Sequence, residues 1–155
     1  MENSNRKYEL VKDDAVKTLD GRTLFRIRAL VAMTAIGVAA GDLGGYIESE
    51  KNLSHVSGNA WVSGNAWVYA RNHLGWLSCV GSENGTLCWF IQKDRSIRVN
   101  RGCFSGSLEE FRSAVEETHG DSPIGQQYRL LIQFIELRST EAIKDYVPGP
   151  SELEA

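Results

Sequence analysis

The sequence lacks a strong charge of either sign. Its 155 residues carry a formal net charge of −3, with acidic and basic residues mixed along the chain. A protein that binds duplex nucleic acid concentrates positive charge on one surface, because contacts to the phosphate backbone dominate its affinity. The composition therefore argues against duplex nucleic acid as a partner. The length fits one domain of ordinary size, or two small units that share a core.

Long apolar runs are also missing. The longest run, residues 29–40, is too short to cross the hydrocarbon core of a bilayer, and it contains Thr34 and Gly37. The N-terminal sequence MENSNRKYELVKDD has no apolar segment behind its basic residues, so we expect no signal peptide. These features predict a cytoplasmic protein without a membrane partner.

Cysteine and histidine are scarce, and their spacing matches no familiar site. The three cysteines are Cys79, Cys88 and Cys103, which form neither a zinc-knuckle pattern nor a redox CxxC pair. The three histidines do not cluster with them by spacing. No catalytic triad and no phosphate-cradling motif is visible either. We therefore predict a reduced protein with no metal, no cofactor and no catalytic residues.

The most distinctive feature of the sequence is a repeat. Residues 56–79 read VSGNAWVSGNAWVYARNHLGWLSC and align as hexads that begin at Val56, Val62, Val68 and Leu74. Aliphatic first positions and small fifth positions match the hexapeptide pattern of parallel β-helices. In that geometry each hexad forms one flat side, and Gly-Asn turns the corner because both residues tolerate left-handed backbone angles. The aliphatic residues, Val62 and Val68 above all, should point inward.

The repeat also raises a question about assembly. Trp61 and Trp67 precede the inward-facing valines, so strand alternation would point them outward, against another copy or against the C-terminal helices. Internal packing is the favoured alternative, because aromatic residues dominate buried contacts. The hexads make little more than one coil, which leaves strand edges unpaired. We therefore predict a closed homo-oligomer built partly on the repeat.

Hairpin signals stand on both sides of the repeat. Asp20-Gly21 separates two strand-like runs, and an Asp-Gly pair accepts the positive φ angles of a two-residue turn. The polar residues 92–95 separate the runs 86–91 and 96–100. The sequence thus predicts an N-terminal hairpin and a second hairpin after the repeat.

Two helices are predicted at the C-terminal end. Ser107 and Glu110 have capping-box spacing, and apolar residues follow at helical spacing until Gly120. Pro123 suits the first turn of a second helix, where its missing N–H costs nothing. Beyond Ser139 the chain has turn formers and acidic residues but little to bury, so we expect it to be loose.

These elements predict an α+β fold. Its parts in chain order are an N-terminal β-hairpin, a short β-helix-like hexapeptide section, a second hairpin and two C-terminal helices. We divide the chain into residues 1–80, the β-hairpin and hexapeptide section; residues 81–140, a ββαα section that shares the core; and residues 141–155, the loose tail.

Three stretches of the sequence resemble a group of phage proteins. They are GDLGGYIESEKNLS at residues 41–54, the GNAWV repeats, and RGCFSGSLEEFRSAVEETHGD at residues 101–121. Together they are similar to small phage and prophage proteins described only as hexapeptide-repeat or polymer-forming proteins. The similarity spans the chain from about Tyr8 to Arg138.

The resemblance implies a phage origin and, by analogy, a function in binding. Small accessory phage proteins often block a host defence protein or sequester a nucleotide-derived signal. We therefore expect a non-enzymatic protein that inhibits antiviral defence in the cytoplasm of an infected or lysogenic bacterium. Two alternatives stay open: a self-assembling structural or protein-interaction module, and a hexapeptide-repeat acyltransferase with His73 as its base.

The predicted ligand site lies where the second hairpin meets the first helix. Arginine supplies forked donors, a helix N-terminus offers free N–H groups to phosphate, and tryptophan can stack a base. The residues that would form the site are Arg98, Arg101, Gly102, Ser105, Gly106, Ser107, Trp76 and Trp89. The alternative is an ordinary capped helix beside solvated arginines.

Overall fold

The computed structural model describes residues 6–56, 59–81, 83 and 85–149. Over these residues the chain is α+β, with two four-stranded sheets followed by two α-helices. The first sheet contains β1 (Tyr8–Lys17), β2 (Thr23–Ala29), β3 (Leu43–Ile47) and β4 (Trp67–Val68). The second contains β5 (Leu74–Val80), β6 (Gly85–Ile91), β7 (Ile97–Arg101) and β8 (Phe104–Ser107). The helices are α1 (Leu108–His119) and α2 (Pro123–Lys144).

Both predicted hairpins are confirmed. β1 and β2 pair antiparallel around the Asp20-Gly21 turn, where Gly21 has a φ of 93° that favours glycine. β6 and β7 pair antiparallel around residues 92–95. Each sheet keeps its strands in chain order, so strands that follow one another along the chain are also neighbours in the sheet.

The repeat forms one turn rather than a stack of flat sides. Tyr46 in β3 pairs in parallel with Trp67 in β4, so the chain makes a single β-helix-like turn between these two residues. Val62 and Val68 are fully buried, which confirms their predicted orientation. Val56, in contrast, is 81% exposed, and residues 57 and 58 of its hexad lie outside the described part of the chain.

The fourth hexad belongs to the other sheet. It forms most of β5, which pairs antiparallel with β6. Two clear hexads cannot complete a three-sided coil, whereas β6 pairs with β5 at Leu74–Leu77 and again at Val80. The two sheets therefore divide before Leu74, and not at residue 80.

The tryptophans of the repeat are internal. Trp61 and Trp67 are both buried, which confirms the packing alternative. Trp61 lies outside the strands, where the alternation rule does not apply, and its ring meets the edge of Tyr8. Trp67 packs in a cluster with Tyr146 from the end of the chain.

The second sheet is the middle layer of the protein. Cys88 and Phe90 on one face of β6 pack in a cluster with residues of the first sheet. Leu87 and Trp89, which alternate with them, pack under α1 and α2. Successive side chains of β6 therefore face the first sheet and the helices in turn.

The starts of both helices agree with the sequence signals. Ser107 Oγ accepts a hydrogen bond from the Glu110 N–H at 3.0 Å, and the Glu110 carboxylate accepts one from the Ser107 N–H at 2.8 Å. This is the predicted capping box. Gly120 follows the last residue of α1, and Pro123 is the first residue of α2.

The prediction of a loose tail is wrong for residues 141–149. α2 continues to Lys144, and Tyr146 is buried with its hydroxyl donating to the Trp67 carbonyl at 2.6 Å. The Gly149 N–H donates to the Lys93 carbonyl at 2.7 Å. Burial of the Tyr146 ring holds residues 141–149 in place although their composition is mostly polar. Residues 150–155 lie outside the described part.

None of the helices described is both long enough and apolar enough to span a membrane.

Candidate functional site

The two arginines of the predicted site lie on opposite faces of the second sheet. Arg98 pairs across the sheet with Phe90, which faces the first sheet, and its Nε donates to Ser105 Oγ at 3.1 Å. Arg101 lies on the helix side, where its Nε donates to the Tyr128 hydroxyl at 2.7 Å. The two residues are three positions apart in one strand, so the pleat separates them.

The N-terminus of α1 already holds an anionic group. The hydrogen bond from the Ser107 N–H keeps the pKa of Glu110 below its ordinary value. The same carboxylate lies against Gly106, where an added Cβ would stand 2.8 Å from Glu110 Oε1. A phosphate at this helix end would first have to displace the carboxylate. Gly106 and Ser107 therefore belong to a cap.

Gly102 and Ser105 line a different cavity, a cleft of about 320 Å³ between the two sheets. Its lining contains the carboxylate of Asp42 and no lysine or arginine. The buried Asn100 donates to the Trp61 carbonyl at 3.3 Å and accepts from Ser105 Oγ at 2.7 Å, so its amide is engaged. The electrostatics of this cleft do not favour an anion.

Trp89 lies in a groove of about 510 Å³ between β5 and α2, and Trp76 is at the edge of this groove. Leu77 of β5 stands on one side of the groove and Phe134 of α2 on the other. Trp76 pairs across the sheet with Cys88, which faces the first sheet, so its side chain projects from the face of β5 opposite to Trp89. Leu77 is 42% exposed and Phe134 is 51% exposed. This is an aromatic groove open to solvent at the edge of the second sheet.

The floor of the groove depends on Gly75. An added Cβ there would stand 2.1 Å from Trp89 Cζ2, so the absence of a side chain lets the indole lie across β5. Trp89 is only 6% exposed, and its Nε1 has no hydrogen-bond partner within the described structure. Phe134 meets the Trp89 ring edge to face, with centroids 6.0 Å apart.

Two arginines that the sequence analysis did not select also line the groove. Arg71 lies in a 3₁₀ turn, Arg71–His73, just before β5, and Arg138 lies on α2. Arg138 Nη2 donates to the Arg71 carbonyl at 3.4 Å, which brings the two residues together. No described carboxylate is within ion-pair distance of either guanidinium, whereas Arg112 and Arg129 pair with Glu136 and Glu116.

The sequence contains a pattern that places Arg138 beside Phe134. Arg138 follows Phe134 by four positions, so both project from the same side of α2. Arg71 carries no comparable signal, because it reaches the groove only through the turn that precedes β5.

His73, the candidate base of the acyltransferase alternative, is part of the core. It is buried, its Nδ1 accepts a hydrogen bond from the Tyr69 N–H at 3.1 Å, and its ring meets the rings of Tyr69 and Tyr146. Burial, with a smaller contribution from Arg22, lowers the pKa of His73 to about 4. This geometry supports packing and gives a substrate no access to the imidazole.

The buried imidazole should make stability depend on pH. The unfolded chain binds a proton at His73 below about pH 6.5, but the folded protein binds it only near pH 4, so acidification through this window favours unfolding. We expect a loss of roughly 3 kcal/mol from this residue. Urea unfolding at pH 7.5, 5.5 and 4.5 measures the loss. His73→Asn, whose amide oxygen can replace Nδ1 as acceptor, should reduce the slope, and an unchanged slope would contradict this assignment.

Among the described residues, no group of three or more His, Cys, Asp or Glu side chains is placed to hold a metal ion. Cys88 is buried, and burial raises the pKa of its thiol to about 12.

No protein-family model matches the chain, and no curated protein and no solved structure matches it. The fold and the groove thus define an α+β protein with an aromatic, arginine-flanked candidate binding site. The resemblance to small phage proteins stays a prediction.

Proposed function

We propose that this protein is a non-enzymatic binding protein whose ligand site is the groove between β5 and α2. The observation that carries the proposal is the exposure of Leu77 and Phe134 beside the buried indole of Trp89. A concave site lined by aromatic side chains, with a few polar groups, is typical of small-molecule binding. The cavity volume of about 510 Å³ is in the usual range for such sites.

The groove supports binding rather than catalysis. Among the described residues, its lining contains no carboxylate, histidine, thiol or hydroxyl that could transfer a proton or attack a substrate. Its charged groups are the guanidinium groups of Arg71 and Arg138. These side chains can hold a ligand by contact and by charge.

Titration with N-phenyl-1-naphthylamine, a neutral fluorescent probe, tests the proposal. We expect saturable binding by the wild-type protein and about tenfold weaker binding by Phe134→Ser, which removes an aromatic wall. Leu137→Ser is the matched control, because Leu137 is an exposed apolar residue of the same helix that does not line the groove. Equal binding by the two variants would contradict the location of the site.

The biological setting rests on the resemblance alone. Inhibition of a host antiviral defence, through a nucleotide-derived signal or a host defence protein, stays a prediction, as does a bacterial cytoplasmic location.

A second candidate function, self-assembly, is supported by the exposed side of α2. Leu130, Phe134 and Leu137 follow one another at helical spacing and are all exposed, while residues such as Ile132 and Ile135 bury the opposite side. A continuous exposed apolar surface is typical of protein interfaces. β5 is also an edge strand of its sheet.

The predicted homo-oligomer can be tested on this surface. We expect sedimentation velocity at micromolar concentration to give a species larger than the 17.2 kDa monomer. The double variant Leu130→Ser/Leu137→Ser should shift the distribution towards the monomer, because it removes exposed apolar area. A wild-type protein that sediments only as a monomer would remove this candidate.

A further inference from the structure

We infer that the ligand of the groove is an organic anion that carries a planar aromatic ring. This inference rests on the proposed binding function of the groove and specifies its ligand class. It combines three observations: arginines without a carboxylate partner among the described residues, a solvent-exposed aromatic wall and a buried indole N–H without a described acceptor.

The arginines supply the charge complementarity. Most arginines elsewhere in the described structure have a carboxylate or hydroxyl partner, as Arg101 has Tyr128 and Glu83. Arg71 and Arg138 have no carboxylate partner among the described residues, although the hydrogen bond from Arg138 to the Arg71 carbonyl keeps them close together. A bound carboxylate or phosphate would give these guanidinium groups charge-assisted hydrogen bonds.

The aromatic walls account for the planar ring. Phe134 offers ring surface to solvent on one side of the groove, Leu77 adds apolar surface on the other, and the Trp89 indole lies across its floor. A planar ring between these side chains gains stacking and apolar burial at once. An aliphatic anion would leave the faces of the rings without a partner of matching shape.

Trp89 provides the third observation. Its buried Nε1 donor has no acceptor in the described structure, and an unpaired buried N–H is costly. The half-exposed ring of Phe134 packs against this indole. A ligand that brings an oxygen or nitrogen acceptor within reach of Nε1 would satisfy the donor.

Isothermal titration with two matched ligand pairs tests the inference. One pair is adenosine 5′-monophosphate and adenosine, and the other is naphthalene-1-acetate and naphthalene-1-acetamide. We expect the anion of at least one pair to bind about tenfold or more tightly than its neutral partner, because charged hydrogen bonds strengthen binding. If only adenosine 5′-monophosphate binds more tightly than its neutral partner, the ligand is a nucleoside phosphate. If only naphthalene-1-acetate does so, the ligand is an aromatic carboxylate.

Arginine variants show whether the charge preference comes from the groove. Arg71→Gln and Arg138→Gln should each reduce the preference to about threefold or less, and added salt should weaken the binding of the anion to the wild-type protein. Lys144→Gln is the matched control, since it removes the same charge from α2 at a residue that does not line the groove. Equal loss of preference in the control and the arginine variants would overturn the inference.

The results of these titrations distinguish a failure of this inference from a failure of the proposed function. If N-phenyl-1-naphthylamine binds in a Phe134-dependent way while neither anion is preferred, the anionic class is wrong and the groove remains a binding site. If neither the neutral probe nor the anions bind, both proposals fail. Mass spectrometry of the ligand recovered after heat denaturation should find it unaltered, and a changed ligand would contradict a non-enzymatic role.

Discussion

The Val62→Asp variant is expected to be largely unfolded under conditions in which the wild-type protein is folded. Val62 is fully buried in the cluster shared by the two sheets, and its carbonyl accepts a hydrogen bond from the Gly45 N–H at 3.0 Å. A carboxylate there loses its hydration without gaining a partner, a cost of several kcal/mol. That cost is comparable with the whole stability of a typical domain, about 5–15 kcal/mol.

The control for this variant comes from the same repeat. Val56→Asp makes the identical change at the first position of the preceding hexad, where the side chain is 81% exposed, and it should change stability by less than about 0.5 kcal/mol. Circular dichroism with urea unfolding measures both variants. Similar stability of the two would contradict the position of the core.

The Tyr146→Ala variant is expected to lose about 3–5 kcal/mol of unfolding free energy, as buried aromatic residues do when truncated. Tyr146 is buried, its hydroxyl donates to the Trp67 carbonyl, and its ring stacks on Tyr69 with centroids 5.4 Å apart. Tyr146→Phe should lose roughly 1–2 kcal/mol, because only the hydrogen bond disappears.

Urea unfolding of these two variants distinguishes an anchored C-terminal segment from a loose one. Lys144→Ala, two residues earlier and exposed, is the control and should stay close to the wild-type stability. A Tyr146→Ala protein as stable as Lys144→Ala would mean that the segment does not contribute to the core.

Local signals in the sequence predicted much of the fold. The Asp20-Gly21 turn and the capping box of Ser107 and Glu110 depend on residues a few positions apart, so their geometry follows from the sequence directly. The burial of Val62 and Val68 followed from the period of the repeat.

The path of the repeat depended on contacts that its own residues do not specify. A hexad pattern fixes which side chains face inward, but whether the chain closes further coils depends on competing partners. β6 offers β5 an antiparallel ladder, which ends the repeat. The buried position of Tyr146 likewise depends on Trp67, far away in the sequence.

The candidate site was predictable only in part. Trp76 and Trp89 were selected as stacking residues; Trp89 lies in the groove, and Trp76 is at its edge. Their expected cations, Arg98 and Arg101, lie on opposite faces of β7, and the groove arginines come from segments that meet only when α2 packs on the second sheet. Sequence spacing cannot reveal such long-range neighbours.

The most direct test of the central claim uses the four tryptophans as reporters. Their indole N–H signals, assigned by single Trp→Phe variants, are recorded by nuclear magnetic resonance during titration with naphthalene-1-acetate. If the groove between β5 and α2 is the binding site, the signal of Trp89 shifts to saturation while those of the core residues Trp61 and Trp67 stay in place. Shifts confined to Trp61 or Trp67, or no shift at all, would contradict the account.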